Sequence, residues 1–168
     1  MPSPPPAARS KIVSRPALLI RAHAARARGR RIVFTNGCFD LLHAGHVTLL
    51  EHAKRLGDLL IVGINSDRSV RTLKGPGRPI VSQRDRALVL AALASVDYVT
   101  VFGEATPQRL IARLKPDVLV KGQDWGAGEI VGSDIVRACG GRVVRIRLVS
   151  GRSSTSLIER ILRARRSR

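Results

Sequence analysis

Apolar and polar positions change period several times along the chain, and the changes lay out a succession of elements. "RIVFT" from Arg31 is a short apolar β run, and "HVTLLEHAKRLG" repeats its apolar residues at helical spacing and stops at Gly57. "DLLIVGINSD" is a near-continuous apolar run of the kind expected for a parallel strand buried on both faces. Ser82 and Asp85 make an S-x-x-D start for a helix through "ALVLAALASV", which feeds the strand "DYVTVF". Thr106 and Pro107 open the next helix, Lys115-Pro116 stops it, and "DVLVKG" follows as a strand. In "RVVRIRLV", Val144, Ile146 and Leu148 alternate with Arg145 and Arg147, as on a half-exposed edge strand. A last helix from about Thr155 is expected to bury Leu157, Ile158, Ile161 and Leu162 and to turn its arginines to solvent.

Ahead of the first strand, Ser14 can cap a helix that opens with Pro16 and closes near Gly29. "MPSPPPAARS" cannot build a core, so residues 1–13 are expected to form a disordered Pro-rich tail and 14–168 a single domain. Strand–helix alternation predicts an α/β fold: a Rossmann-like doubly wound parallel sheet with right-handed crossovers and an additional N-terminal helix. Ligands of such sheets bind beyond the carboxyl ends of the strands, where the strand order reverses.

Composition narrows this further. At 168 residues and 44% hydrophobic content the chain can bury one good core. Cys38 and Cys139 lie far apart without C-x-x-C spacing, nothing in the first residues resembles a secretory signal, and no apolar run approaches about 20 residues. A cytoplasmic location with free thiols and no membrane insertion is expected. The net charge of +18 suggests a nucleic-acid partner until it is divided along the chain: Val33 to Ser150 holds 16 Lys and Arg against 11 Asp and Glu, and the flanks hold 14 against one. A basic excess confined to the ends, with 3% aromatic residues for stacking bases, argues for solvated tails and against specific nucleic-acid binding.

The candidate chemistry lies in "FTNGCFDLLHAGHVTLLEHAKRLGD", Phe34 to Asp58. Asn36 to His46 is expected just beyond the first strand and at the start of a helix, where unpaired backbone N–H groups and the positive dipole end favour an anion. His43 and His46, three apart, project from one side of that start, and Gly45 between them leaves room for a ligand to approach the backbone. A metal site would need further ligands; only Cys38 and Asp40 are near, and no H-E-x-x-H spacing occurs, so no metal held by protein side chains is expected. Two ordinary helix-cap histidines remain the plain alternative.

"GCFDLLHAGH" resembles the GxFDxxHxGH signature of the cytidylyltransferase-like nucleotidyltransferases. The similarity continues through "NSD" at Asn65, "RTLKG" from Arg71, "TPQRLI" from Thr106, "VKGQDW" from Val120, "EIVGSDIV" from Glu129 and "SSTSLIERI" from Ser153, and so spans about Arg31 to the last helix. In order and spacing the set is most similar to the branch that adenylylates a heptose 1-phosphate.

The resemblance implies roles. His43, His46 and Lys74 would be catalytic, with Lys74 reaching in from a mobile loop before Gly75-Pro76-Gly77. Asn36, Gly37, Phe39, Gly45, His46, Lys121, Ser153, Ser154 and Thr155 would bind the nucleotide. Asp40, Asn65, Asp67, Arg71 and Trp125 would line the sugar phosphate, with Asn65 and Asp67 ending the second strand. ATP with Mg²⁺ and heptose 1-phosphate would be the small-molecule partners, giving ADP-heptose and pyrophosphate for the inner core of lipopolysaccharide. A homo-oligomer such as a dimer, and separate kinase and phosphatase enzymes upstream, are family-level expectations. The same fold also serves other nucleotides and acceptors: a guanylyltransferase for the α-anomer, and cytidylyltransferases for glycerol phosphate or ethanolamine phosphate. No single residue here reads adenine.

Overall fold

β1 (Ile32–Gly37) is the middle of a five-stranded, all-parallel sheet ordered β3-β2-β1-β4-β5. The computed structural model describes residues 7–123, 130–147 and 154–166. β2 (Leu59–Asn65) is buried along its whole length, as its unbroken apolar run requires, and β3 (Tyr98–Phe102) lies outside it. After β3 the chain crosses back to β4 (Val118–Gly122) on the other side of β1, and β5 (Arg142–Ile146) forms the far edge. The order therefore reverses between β1 and β4. Aspartates tie down the strand starts: Asp58, Asp97 and Asp117 each accept from a backbone N–H, of Arg31, Leu60 and Ile32 respectively, at 2.7 Å.

Alternate residues of the strands feed two cores. On one face α2 (Ala44–Lys54) and α4 (Gln83–Ala92) pack Leu49, Leu50, Ala53, Ala87 and Leu90 on Val33, Leu60 and Val62. On the other, α1 (Arg15–Arg26), α5 (Gln108–Leu114) and α6 (Ser133–Ala138) pack Leu18, Leu110, Ile111 and Val136 on Ile32, Phe34 and Ile61. Fully burying a leucine such as Leu50 or Leu90 contributes roughly 1.5–3 kcal/mol. Gly57 lets the chain turn from α2 into β2 beside β1; an added Cβ would sit 2.9 Å from the Arg31 carbonyl oxygen. Ser14 caps α1 and Ser82 caps α4 as expected, and Lys115 ends α5 in the left-handed conformation.

Several expectations are corrected. The segment expected to be disordered through residue 13 is packed from Ala8 onward: Ala8–Lys11 form a 3₁₀ turn, Ile12 bridges Val99, Val13 is buried, and Lys11 Nζ donates to the carbonyls of Leu93 and Val96. Lys74 does not sit on a loop. It closes α3 (Asp67–Lys74), which Ser66 caps and whose basic last turn suits the helix dipole. Asp67 accordingly opens that helix and does not end β2. Asn36 and Gly37 are the last residues of β1, not part of the turn beyond it. α6 has no plain signature in the sequence pattern, although two neighbouring parallel strands require such a crossover. On α7 (Ser154–Arg166), Leu157 and Ile158 are half-buried, but Ile161 is 63% and Leu162 51% exposed, so the expected burial of these last two does not occur. No helix among the described residues is long and apolar enough to cross a membrane.

Candidate active site

The site forms where the sheet order reverses, at the carboxyl ends of β1 and β4. Lys121, near the end of β4 and 8% exposed, donates from Nζ to the Asn36 carbonyl at 3.2 Å and so bridges the two strands there. Past Gly37 the chain makes a tight turn through Cys38, Phe39 and Asp40. Phe39 adopts φ 47°, left-handed and unusual for an aromatic residue, and its ring folds back over the strand end, where a Cβ on Gly37 would meet it at 3.2 Å.

α2 starts immediately afterwards, with His43 in extended conformation as its N-cap residue and the His43 carbonyl accepting from His46 N–H at 2.9 Å. The two imidazoles stack, their centroids 3.9 Å apart and 24° from parallel, and the Phe39 ring lies 5.0 Å from that of His46. Gly45 is buried in the same first turn. Burial, then His43, then the positive charge of Lys74 push the His46 pKa down to about 4, so the ring is neutral at pH 7. Its Nδ1 is buried and has no hydrogen-bond partner in the described residues; the same holds for Asn36 Oδ1. Ser154, opening α7, donates from Oγ to the Leu41 carbonyl at 3.1 Å, which brings that helix start against the turn before α2.

Asp40 is committed elsewhere than its expected role suggests. It is 3% exposed, and it accepts from Arg78 Nε through Oδ2 and from the N–H groups of Ile80 and Val81 through Oδ1, at 2.8 and 2.9 Å. Burial alone would raise its pKa, but the hydrogen bonds from Val81 N–H and Arg78 outweigh it and hold the carboxyl below its ordinary value. Arg78 keeps a buried Nη2 with no hydrogen-bond partner among the described residues. Burial raises the pKa of Cys38, against the opposing pull of the positive charges of Lys74, Arg86 and Arg78.

Asn65 donates from Nδ2 to Ser69 Oγ at 2.9 Å, and Asp67 pairs with Arg86 at 2.7 Å, so both are tied into the base of the site. Arg71 is exposed on α3. Trp125 and Ser153 lie outside the described residues, as does the side chain of Thr155. The sequence pattern does not single out Arg78 or Arg86. A signal exists for Arg86: it lies on the stripe of α4 that includes Ala87, Leu90 and Ala91, and a charge on a buried stripe needs acceptors inside. No group of three or more His, Cys, Asp or Glu side chains that could hold a metal occurs among the described residues, and the Asp40 oxygens are taken. Mg²⁺ is an ion commonly held largely by substrate phosphates and water.

The model of the cytidylyltransferase-like family matches residues 34–159. The chain is 57% identical over 153 residues to the bifunctional protein HldE of Syntrophotalea carbinolica, covering 91% of this chain and 31% of that protein. It is likewise 57% identical over 144 residues to the bifunctional protein HldE of Pseudomonas syringae, covering 86% and 30%. The chain therefore spans about a third of the length of these curated relatives. Among solved structures, the lipopolysaccharide core biosynthesis protein from Thermoplasma volcanium superimposes with TM-score 0.59 at 29% identity, over 72% of this chain and 98% of that one.

Proposed function

Because the chain belongs to the cytidylyltransferase-like family, we propose that it is a nucleotidyltransferase that joins heptose 1-phosphate to the adenylyl group of ATP, releasing pyrophosphate. The observation that carries this reading is the set of buried polar atoms without protein partners, His46 Nδ1, Asn36 Oδ1 and Arg78 Nη2, around an N-terminal helix turn beside Lys74. Such atoms are costly to leave unmet: the two nitrogens can donate to an anionic ligand, and the amide oxygen can accept from a hydroxyl or amino group of it. The heptose and adenine parts of the reading rest on the ordered motif set and on the likeness to a lipopolysaccharide core biosynthesis protein.

In this reaction a non-bridging oxygen of the sugar phosphate attacks the α-phosphorus. The bond from that phosphorus to the α–β bridging oxygen breaks, and the pair of electrons leaves with pyrophosphate. A phosphomonoester with a second pKa near 6 is already an anion at pH 7, so no general base is needed. The residues act by position and charge. The neutral His46 ring would donate a hydrogen bond to a phosphate oxygen, and the Lys74 ammonium and the Arg78 guanidinium would face the negative charge moving to the leaving group. Ser154, at the start of α7, would hold the terminal phosphates. Mg²⁺ belongs to the proposal as a companion of the triphosphate. A reaction that phosphorylates the heptose at its anomeric carbon must supply the acceptor.

Pyrophosphate release measured for ATP, CTP, GTP and UTP against both heptose 1-phosphate anomers, glycerol 3-phosphate and ethanolamine phosphate tests the assignment. Turnover confined to another pair would replace the substrates and keep the reaction class. No release with any pair would overturn both.

A further inference from the structure

Arg86 is 1% exposed and the largest fully buried side chain of the described residues. Its Nε donates to the Val81 carbonyl at 3.0 Å, Nη1 to the Cys38 carbonyl, and Nη2 to the Asn65 carbonyl at 2.9 Å and to Asp67 Oδ1 at 2.7 Å. These acceptors belong to four segments: the loop before α4, the turn after β1, the end of β2 and the start of α3. An apolar side chain would fill the space as well, and Ala87 and Leu90 already do so on this face. What a guanidinium adds is direction, since its planar fork fixes the orientation of each carbonyl it meets.

The Cys38 carbonyl matters most. It belongs to the peptide plane preceding Phe39, and rotation about the next bond is the φ of Phe39, which stands at 47°. A strained backbone angle of this kind persists only where the surroundings over-determine it. The Phe39 ring that this angle sets is the one lying 5.0 Å from His46.

We propose that Arg86 is a positioning residue for the transfer reaction, holding the Cys38–Phe39 peptide in the orientation that seats Phe39 against His46 and tying the start of α3, the helix that ends in Lys74, to the same point. It rests on the reading of the His46 region as the triphosphate site. Arg86 itself, fully enclosed, touches no substrate.

Arg86→Lys keeps the charge but cannot reach all four acceptors. The variant is expected to melt cooperatively. Its kcat for pyrophosphate release should fall by about 30-fold or more, since small misplacements of reacting groups cost up to about 10²-fold. ATP affinity by calorimetry should change by less than roughly threefold, because binding energy common to ground and transition states is left in place. The His46 titration followed by NMR should move from about 4 towards its ordinary value as the ring loosens. Either a kcat per folded molecule or a His46 titration equal to wild type would overturn the proposal. If Arg86→Lys does not fold, Asp67→Asn, which leaves the guanidinium in place and weakens one anchor, is judged by the same two readings. The imidazole titration does not depend on turnover: a wild-type protein that releases no pyrophosphate overturns the functional reading, whereas an unmoved His46 overturns the positioning role.

Discussion

The imidazoles of His43 and His46 stack 3.9 Å apart, because the first turn of α2 sets residues three apart on one side. Burial disfavours a charged His46 ring first, and the neighbouring His43 and then Lys74 add repulsion, so His46 stays neutral. A triphosphate would reverse the sign of that environment.

His46→Ala should lower kcat by roughly 10² or more while leaving the fold intact, the scale of losing one preorganised transition-state donor. The ring is not part of the sheet cores, so little stability depends on it. Steady-state pyrophosphate release together with a thermal melt checks the expectation, and a near-wild-type kcat contradicts it.

The depressed pKa of His46 also sets a pH dependence of stability. Between about 4 and the ordinary histidine value of 6.5 the unfolded chain binds a proton that the native state refuses, so stability rises with pH across that window and falls as pH drops through it. The full loss should be about 1–3 kcal/mol, reduced from the simple conversion because the ring is partly exposed. Denaturant melts at pH 4 and pH 7 measure it, and His46→Gln should flatten the difference. Saturating ATP should raise the His46 pKa in an NMR titration.

Asp40 holds the segment Arg78–Val81 through three hydrogen bonds. Asp40→Asn removes the charge that pairs with Arg78 and is expected to cost about 1–3 kcal/mol, the range for losing a charge-assisted buried bond. Amide exchange at Ile80 and Val81 should accelerate, whereas that at the β1 amides should change no more than the global loss requires. Unchanged exchange at Ile80 and Val81 would show that the segment is held by something else.

Lys74→Ala should reduce kcat more than it weakens ATP binding, because negative charge shifts towards the leaving pyrophosphate only as the reaction proceeds. Calorimetry and turnover on one variant make the comparison, and equal losses in both would assign Lys74 to ground-state binding. The same substitution should raise the unliganded His46 pKa, since Lys74 is one of the groups depressing it.

The periodic elements, and the place of the H-x-G-H turn among them, are legible in the chain before it folds. Unbroken apolar runs such as that of β2 can only be buried on both faces, which requires a parallel sheet covered by helices, and an H-x-G-H turn after the first strand must fall at its carboxyl end. Those inferences are local or follow from burial. How the charged residues are shared out emerges only on folding. Asp40 and Arg78 are 38 positions apart, and Cys38 and Arg86 are 48 apart, so no local pattern announces either pairing. Ile161 and Leu162 have helical spacing that reads as buried, yet burial depends on whether another element lies opposite, and none covers them among the described residues. Lys74 reads as a loop residue because Gly75-Pro76-Gly77 follows it, whereas its helix is fixed by the Ser66 cap and by Val70, buried against the rest of the fold. Propensity and period are properties of a segment; the partners of a buried charge are properties of the space into which the segments fold.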